Sequence, residues 1–168
     1  MVGNEVVMLW VDNSLEADMF KNILVAVDDS PCSNKAGEVG FAFAKETGGK
    51  VVVLSVLHST DTSASKVISD SLKVADGEAV LDRWREYSRH SSVVALFESL
   101  FDSSIEDAIT RAAIRHGCDL IIMGTHSYGD SSGVSVGVVR SSLVPVMLVR
   151  KPLELSAGEG LVGKQIYI

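Results

Sequence analysis

Five apolar runs recur along the chain, and each ends at polar or small residues. Runs of this length are typical of strands that are buried on both faces, as in a parallel sheet. The third run is the least continuous, because Glu98 interrupts it. The predicted strands cover residues 23–27, 51–57, 93–100, 119–124 and 145–150.

The stretches between these runs carry apolar residues at helical spacing and begin at residues that cap helices. Ser30 precedes Pro31, which the first helical turn tolerates, and Ser104 precedes acidic residues that suit the positive end of a helix dipole. The predicted helices cover residues 31–47, 66–90, 105–116 and 134–142. In the longest helix, the predicted inward face holds Ile68, Leu72, Ala75, Ala79 and Trp84.

Strands and helices alternate from residue 21 to residue 150, which predicts one α/β domain with a doubly wound parallel sheet. Ligands of such sheets bind at the carboxyl ends of the strands, near the point where the strand order reverses. The chain carries Asp28–Asp29, Leu57–His58, Gly124–Thr125 and Lys151 at these ends. Candidate functional residues are therefore expected there.

The length of 168 residues allows one domain with short extensions, and the alternation places the extensions at residues 1–20 and 151–168. A net charge of −7 without a basic stripe argues against a general nucleic-acid-binding protein. This charge still allows a small anion that backbone amides hold.

The sequence also bears on the compartment. No apolar run approaches the roughly 18–20 residues of a membrane span. The apolar run at residues 6–11 lacks preceding basic residues, unlike a signal peptide, and is apolar enough to add an edge strand or to pack on a neighbouring protein. Cys32 and Cys118 are interpreted as reduced thiols. We expect a cytoplasmic location.

Four segments resemble the universal stress protein family in sequence, order and spacing. They are Asn22–Ser30 (N-I-L-V-A-V-D-D-S), Val52–Val56 (V-V-L-S-V), Asp119–His126 (D-L-I-I-M-G-T-H) and Val144–Arg150 (V-P-V-M-L-V-R). The resemblance covers residues 21–150. It implies a five-stranded, Rossmann-like sheet of the adenine nucleotide alpha hydrolase-like type, with the strand order 3-2-1-4-5. It also implies a homodimer that forms through the fifth strand.

Family members that bind ATP share a loop after the fourth strand with the pattern Gly-x2-Gly-x9-Gly-Ser/Thr. Such glycines let backbone amides approach phosphates, and a helix start and a hydroxyl add further donors. Here Gly124 matches the first glycine, but Ser127 stands where the second belongs. An ungapped count puts Gly137 at the third, followed by a valine in place of the hydroxyl residue. Counting back from the fifth strand instead puts Ser132–Gly133 at the end of a shorter loop.

The resemblance further implies which residues would contact an adenine nucleotide, either ATP or AMP. Asp28 matches the acid after the first strand that contacts the nucleotide in binding members. Ala26, Val56 and Met123 match apolar residues of the adenine site, although core positions at strand ends are the alternative for these three. The candidate binding set is Ala26, Asp28, Val56, Met123, Gly124, Ser127, Ser132 and Gly133.

Other motifs lack the context that their chemistry requires. Residues 133–137 spell the Gly-x-Ser-x-Gly of a nucleophile elbow, but no histidine follows them in the sequence. Residues 158–164 spell a dinucleotide fingerprint without room for a following helix. A receiver-like phosphoacceptor domain needs an aspartate after the third strand, and Asp102, the candidate, lies too far from Asp28 in sequence. The four histidines lack metal-ligand spacing.

Two functions remain open from the sequence. One is a dimeric regulatory or stress-response domain that acts through its surfaces, with weak or absent ATP binding, which the altered loop favours. The other is a signalling module that binds ATP or AMP between Asp28, Val56 and the loop at residues 124–133. Neither hypothesis includes an enzyme beyond slow nucleotide hydrolysis. The sequence allows both a free-standing chain and a domain of a larger transporter or kinase.

Overall fold

The computed structural model describes residues 19–58, 66–125 and 133–150, without the side chains of residues 66–73. Ser127, Ser132 and the two extensions, except Met19 and Phe20, lie outside the described residues. So do the side chains of Ile68 and Leu72. In the described residues, strands and helices alternate as predicted. They are β1 (Asn22–Ala26), α1 (Pro31–Thr47), β2 (Lys50–His58), α2 (Lys66–Ser91), β3 (Ala95–Asp102), α3 (Ile105–Arg115), β4 (Leu120–Gly124), α4 (Val134–Ser141) and β5 (Val146–Val149).

The five strands form one parallel sheet in the order β3-β2-β1-β4-β5, which confirms the predicted fold class and strand order. β1 lies in the centre, where Ala26 pairs in register with Leu54 of β2 and with Met123 of β4. The strand order reverses beside β1, so the carboxyl ends of β1, β2 and β4 border the crevice in which ligands of this fold class bind.

Helices cover both faces of the sheet, and each face buries its own apolar core. On one face α1 and α2 pack on Ile23 and Val25 of the central strand. On the other face α3 and α4 form a core with Leu24, which lies between Ile23 and Val25 in the same strand. Successive residues of a strand point to opposite faces, so burial of both faces requires the continuous apolar runs seen in the sequence.

Ser30 and Ser104 cap the starts of α1 and α3, as predicted. The side chain of Ser30 accepts a hydrogen bond from the backbone N–H of Ser33 (3.2 Å), and Ser104 caps α3 through the N–H of Asp107 (3.2 Å). α1 ends at Gly48, whose φ of 65° lies in the left-handed region that glycine adopts without strain. Among the described helices, none combines the length and the apolar character needed to cross a membrane.

Phe20 packs into the domain although the sequence assigns it to the N-terminal extension. Its ring meets Phe43 edge-on, with the centroids 6.0 Å apart. Its carbonyl oxygen accepts a hydrogen bond from the Thr47 hydroxyl at 3.0 Å. The packed domain therefore includes at least this residue before β1.

β3 begins two residues later than its apolar run predicts. Val93 is buried in the turn after α2, where its carbonyl oxygen accepts a hydrogen bond from Ser88 Oγ (3.1 Å) and Ser92 has a φ of 60°. The strand then extends beyond the run as far as Asp102, because that residue still pairs with His58 at the end of β2.

The inward face of α2 is rotated from the predicted one. Ala75 and Ala79 are exposed, so the prediction that they face inward is wrong, whereas Trp84 is buried as predicted. A Cβ atom on Gly77 would lie 3.1 Å from Leu57, so this glycine lets the helix approach the sheet closely. The buried residues of the helix, among those described, are Gly77, Val80, Leu81 and Trp84.

Candidate functional site

A cavity of about 250 Å³ lies at the carboxyl ends of β1, β2 and β4. It is on the face of the sheet that α3 and α4 cover, because residues near the starts of both helices line it. The small side chain of Ala26 lies between the larger Leu54 and Met123 in register, which leaves space above the central strand. The apolar lining residues are Ala26, Val27, Leu54, Val56, Ile105, Ile109, Met123 and Val134.

The loop before α1 fixes Asp28 at this cavity. The Asp28 carboxylate accepts a hydrogen bond from the backbone N–H of Ser30 at 2.8 Å. The backbone N–H of Asp28 donates to the hydroxyl of Ser33 at 2.7 Å, and that hydroxyl is 3.2 Å from the Asp28 carbonyl oxygen, to which it donates. Ser33 is buried and Asp28 is exposed, so a buried serine anchors an acid that solvent reaches.

The backbone amides at the start of α1 are hydrogen-bonded to the preceding residue, Ser30. Ser30 Oγ accepts the N–H of Ser33, the carbonyl oxygen of Ser30 accepts the N–H of Asn34 at 3.0 Å, and Pro31 has no N–H. Two amides of the first turn are therefore engaged and a third is missing. Little of the donor capacity of this helix start is available to a ligand.

Gly124 at the end of β4 both lines the cavity and contacts the backbone of α1. A Cβ atom on Gly124 would lie 2.6 Å from the carbonyl carbon of Cys32 and 2.6 Å from the N atom of Ser33. Side chains cannot occupy such a distance to backbone atoms, so only glycine allows β4 and α1 to come this close. The same contact keeps Ser33 beside Asp28.

A hydroxyl pair joins the end of β4 to the start of α4. Ser135 Oγ donates a hydrogen bond to Thr125 Oγ1 at 3.2 Å. Thr125 is only 7% exposed, and its backbone N–H donates to the carbonyl oxygen of Val149 at 3.0 Å. Both hydroxyls line the cavity, and they add polar groups without charge.

Of the two glycines that could close the loop pattern, Gly133 is the one at the cavity. It precedes α4 as the N-cap residue and makes no side-chain capping bond. Gly137 lies inside α4, where a Cβ atom would be 3.2 Å from Glu106 of α3, and its role is helix packing. The position of Gly133 matches the shorter of the two loop alignments.

A second and larger cavity, of about 580 Å³, lies between the end of β2 and α2. Asp28 and Val56 line both cavities, so they form the wall between them. The second cavity carries the guanidinium of Arg83, which pairs with Asp29 at 3.3 Å and contacts Asn34 Oδ1 at 2.6 Å.

The structure brings six of the eight sequence-predicted site residues to the first cavity. They are Ala26, Asp28, Val56, Met123, Gly124 and Gly133. Ser127 and Ser132 lie outside the described residues. The polar lining residues that the candidate set omits are Ser30, Ser33, Thr125 and Ser135.

Signals for these omitted residues were present in the sequence but carried other interpretations. In the sequence, Ser30 indicates a helix cap, Thr125 follows the fourth apolar run, and Ser135 belongs to an isolated Gly-x-Ser-x-Gly pattern. Ser33 had no signal, because its role depends on how closely α1 approaches Gly124. Ser135 lies within the first turn of α4, and its hydroxyl is engaged with Thr125.

The carboxylate of Asp102, the receiver-like candidate, is committed to structural contacts. It accepts the backbone N–H of Ser104 at 3.1 Å and pairs with Arg111. The hydrogen bond from Ser104 and the charge of Arg111 hold the pKa of Asp102 below its usual value. These contacts cap the start of α3 rather than build a phosphoacceptor site.

The described part of the chain shows neither a reactive cysteine nor a metal-binding cluster. Cys32 and Cys118 are both free and buried, and burial, with a smaller contribution from Asp119, raises the pKa of Cys118 to about 11. Such a thiol is a weak nucleophile at neutral pH. Among the described residues, no group of three or more His, Cys, Asp or Glu side chains could hold a metal ion.

Comparisons with known proteins agree with this geometry. The sequence model of the "Universal stress protein family" matches residues 19–150. A relative from Thermus aquaticus, a "universal stress protein in QAH/OAS sulfhydrylase 3'region", is 30% identical over an alignment of 145 positions that covers 79% of this chain and all of the relative.

Solved structures have the same fold. A universal stress protein in complex with cAMP superposes with a TM-score of 0.63 at 18% identity, covering 77% of this chain and 97% of that protein. A universal stress protein family protein from Arabidopsis thaliana with AMP bound gives a TM-score of 0.63 at 19% identity, covering 79% and 93%. With the family model spanning more than three-quarters of the residues and the strand order as the resemblance implies, the chain belongs to the universal stress protein family.

Proposed function

We propose that this chain is a regulatory domain that binds an adenine nucleotide in the first cavity. The observation that carries the proposal is the meeting, around one cavity at the reversal of the strand order, of six residues that the family resemblance implies from separate segments of the chain. An apolar inner wall suits a planar base, and the hydroxyls of Thr125 and Ser135 suit a ribose.

The related structures support the same class of ligand. One universal stress protein is in complex with cAMP and another has AMP bound. Both ligands contain adenine, ribose and a single phosphate. At 18% and 19% identity these proteins share the fold with this chain, so the ligand class is carried here by the cavity and its lining.

Isothermal titration calorimetry with AMP and ATP tests the proposal. The variant Ala26→Leu places a larger side chain in the space between Leu54 and Met123, where the base would lie. We expect the parent to bind AMP at concentrations below about 1 mM and Ala26→Leu to lose at least about tenfold in affinity.

Ala42→Leu is the matched control, because it makes the same change at an exposed position in the middle of α1. It is expected to bind like the parent. Urea unfolding of both variants shows whether the domain is intact. The absence of any binding by the parent, or equal binding by parent and Ala26→Leu, would contradict the proposal.

A second candidate function, a dimeric adaptor that acts through its surfaces, is favoured by exposed apolar side chains near β5. Leu143 is 84% exposed, and Val139 and Leu148 are also exposed. β5 is an edge strand that pairs with β4 on one side, and unpaired edges associate readily. We infer that the chain forms a homodimer through this edge, and dimerisation is compatible with nucleotide binding in the same domain.

Turnover of the nucleotide is not part of the proposal. The hydroxyls of Thr125 and Ser135 bond to each other, and Asp28, the one acid among the described lining residues, is held by a backbone amide. We expect at most slow hydrolysis. A cytoplasmic location also stays a prediction.

A further inference from the structure

The second cavity, of about 580 Å³, lies outside the proposed nucleotide site. The end of β2 and α2 border it, and Val56, Leu57 and Val80 supply apolar lining. Its volume falls within the roughly 300–1,000 Å³ typical of sites that enclose a small organic molecule. A single inorganic ion would leave most of this space unfilled.

Ser55 is a buried polar residue that lines this cavity. It lies two residues after Val53, which packs in the core under α1 and α2, so its side chain points to the same face of the sheet. The residue is only 3% exposed, and its hydroxyl has no hydrogen-bond partner among the described residues. Because a buried hydroxyl without a partner is unfavourable, Ser55 offers a hydrogen-bonding position to a ligand.

The charges around the cavity favour a cationic ligand. Asp28, Asp29 and Asp76 line it, against the one guanidinium of Arg83. Arg83 pairs with Asp29 at 3.3 Å, which leaves Asp28 and Asp76 without a cationic partner among the described residues. Within the described ranges, no group of three or more His, Cys, Asp or Glu residues could hold a metal ion, so the unpaired carboxylates suit an organic cation.

We propose that the second cavity binds a short aliphatic amine, a ligand separate from the nucleotide proposed for the first cavity. An ammonium group carries three N–H donors, so it can donate to the Ser55 hydroxyl and also neutralise Asp76. The hydrocarbon part of the ligand lies against Leu57 and Val80. A diamine carries a second ammonium for Asp28, the other unpaired carboxylate.

Three four-carbon compounds of matched length test the ligand class by isothermal titration calorimetry without nucleotide. At pH 7, 1,4-diaminobutane is a dication, 1,4-butanediol is neutral and succinate is a dianion. We expect the diamine to bind with a dissociation constant below about 1 mM, and the diol and succinate to bind at least about tenfold more weakly.

The outcomes of this series bear on the amine proposal alone. Binding of the diol or of succinate as tight as that of the diamine would overturn it, and so would the absence of diamine binding at about 10 mM. The adenine-nucleotide function is independent of either result, because the titrations contain no nucleotide.

A pair of charge variants separates the site from general attraction of cations to an acidic chain. Asp76→Asn removes a lining carboxylate, and Asp82→Asn removes an exposed carboxylate of the same helix that does not line the cavity. Both variants change the net charge equally. We expect Asp76→Asn to weaken diamine binding by about fivefold or more and Asp82→Asn to change it by less than about twofold. Equal effects of the two substitutions would show that the cation binds without a specific site.

A pair of serine variants tests the buried hydroxyl. Ser55→Ala removes it, and Ser99→Ala makes the same change at the register partner on β3, which does not line the cavity. We expect Ser55→Ala to weaken diamine binding by about threefold or more without lowering the urea midpoint, because no bond within the protein is lost. Binding like the parent in Ser55→Ala, or an equal loss in Ser99→Ala, would overturn the proposal.

Discussion

Trp84 anchors the contact between α1 and α2 in the first core. Its indole ring stacks on Phe41 with the centroids 5.8 Å apart and the planes 8° apart, and Tyr87 meets both rings edge-on. A Cβ atom on Gly37 would lie 2.1 Å from the indole ring. This glycine therefore provides the space that the tryptophan fills, and the two residues depend on each other.

Gly37→Ala should destabilise the domain through this contact. Alanine is preferred to glycine in a helix by about 1 kcal/mol, but the added methyl group must displace a buried ring. We expect a net loss of about 1–3 kcal/mol in the free energy of unfolding, measured by urea titration.

Gly137→Ala makes the same change in α4, where the nearest atoms are Cβ and Cγ of Glu106 at 3.2 Å. At 3.2 Å the two helices need to separate by only a few tenths of an ångström, against 2.1 Å at the indole ring, so we expect a change within about 1 kcal/mol of the parent. Equal losses in the two variants would show that the indole contact is not the cause.

At the scale of single residues, the sequence predicted the site in part. Asp28 and Gly124 were predicted because each stands at the end of a strand and matches a family motif. Thr125 was predicted only as part of a strand end, and Ser33 was not predicted, because its place at the site depends on the contact between α1 and Gly124, which are far apart in sequence. Hydroxyl residues give little signal of their own until the backbone around them is known.

Charged pairs attach α3 to β3, the element pair beside the cavity wall. Glu98 of β3 accepts hydrogen bonds from Arg115 at 2.6 Å and from Nε2 of His116 at 2.7 Å, both at the end of α3. Near the middle of the helix, Arg111 pairs with Asp102 at the end of β3. Because Ile105 and Ile109 of α3 line the cavity, these pairs help to hold one of its walls.

The pairing of Glu98 makes the stability of this element depend on pH. Burial alone would raise the pKa of Glu98, but the hydrogen bond from His116 and the contacts with Arg115 outweigh it and lower the pKa below its ordinary 4.5. A carboxyl with a lowered pKa in the folded state stabilises the fold above its unfolded pKa. That contribution is lost as the pH falls through the folded pKa.

Glu98→Gln should therefore lower the free energy of unfolding by about 1–2 kcal/mol at pH 7, and the difference from the parent should shrink below about pH 4. Denaturant unfolding at several pH values measures it. Glu38→Gln is the control, since Glu38 is exposed and pairs with Lys35 at 2.8 Å, and we expect a change below about 0.5 kcal/mol. A difference that is as large at about pH 3 as at pH 7 would contradict the assignment to Glu98.

At the scale of elements, apolar runs predicted every strand but not every boundary. The run that includes Val93 continues past the true start of β3, because a buried turn residue is apolar for the same reason as a strand residue. The face of α2 was misassigned because glycine carries no hydropathy signal, and Gly77 points at the sheet. Such positions are decided by close packing rather than by the periodicity of apolar side chains.

At the scale of the whole molecule, the two edge strands of the sheet differ in the exposed apolar side chains that lie on or beside them. β3 forms one edge, where Leu96 is exposed beside the paired Glu98. β5 forms the other, and the exposed residues Leu143 and Leu148 accompany it. The alternation of elements predicted a parallel sheet, but the order of the strands came from the family resemblance, since alternation alone is compatible with several orders.

Lysine substitutions on the two edge strands test whether the proposed dimer forms through β5. Leu148→Lys places a charge on β5, and Leu96→Lys places the same charge on β3 as the matched control. We expect sedimentation velocity to show a dimer for the parent and for Leu96→Lys, and at least about tenfold weaker association for Leu148→Lys, because a lysine at an edge opposes pairing. A parent that is monomeric at all concentrations would refute the dimer. Loss of association in Leu96→Lys alone would move the interface to β3.

The close approach of β4 to α1 at Gly124 affects how members of this family can be classified as nucleotide binders or non-binders. The glycine is required by a backbone contact that exists whether or not a ligand is present. A chain that had lost every affinity for nucleotides would still be selected to keep it, since any side chain there would push the first helix off the sheet. The first glycine of the loop pattern thus reports an intact fold. A classification of binders and non-binders should give weight to the later loop positions.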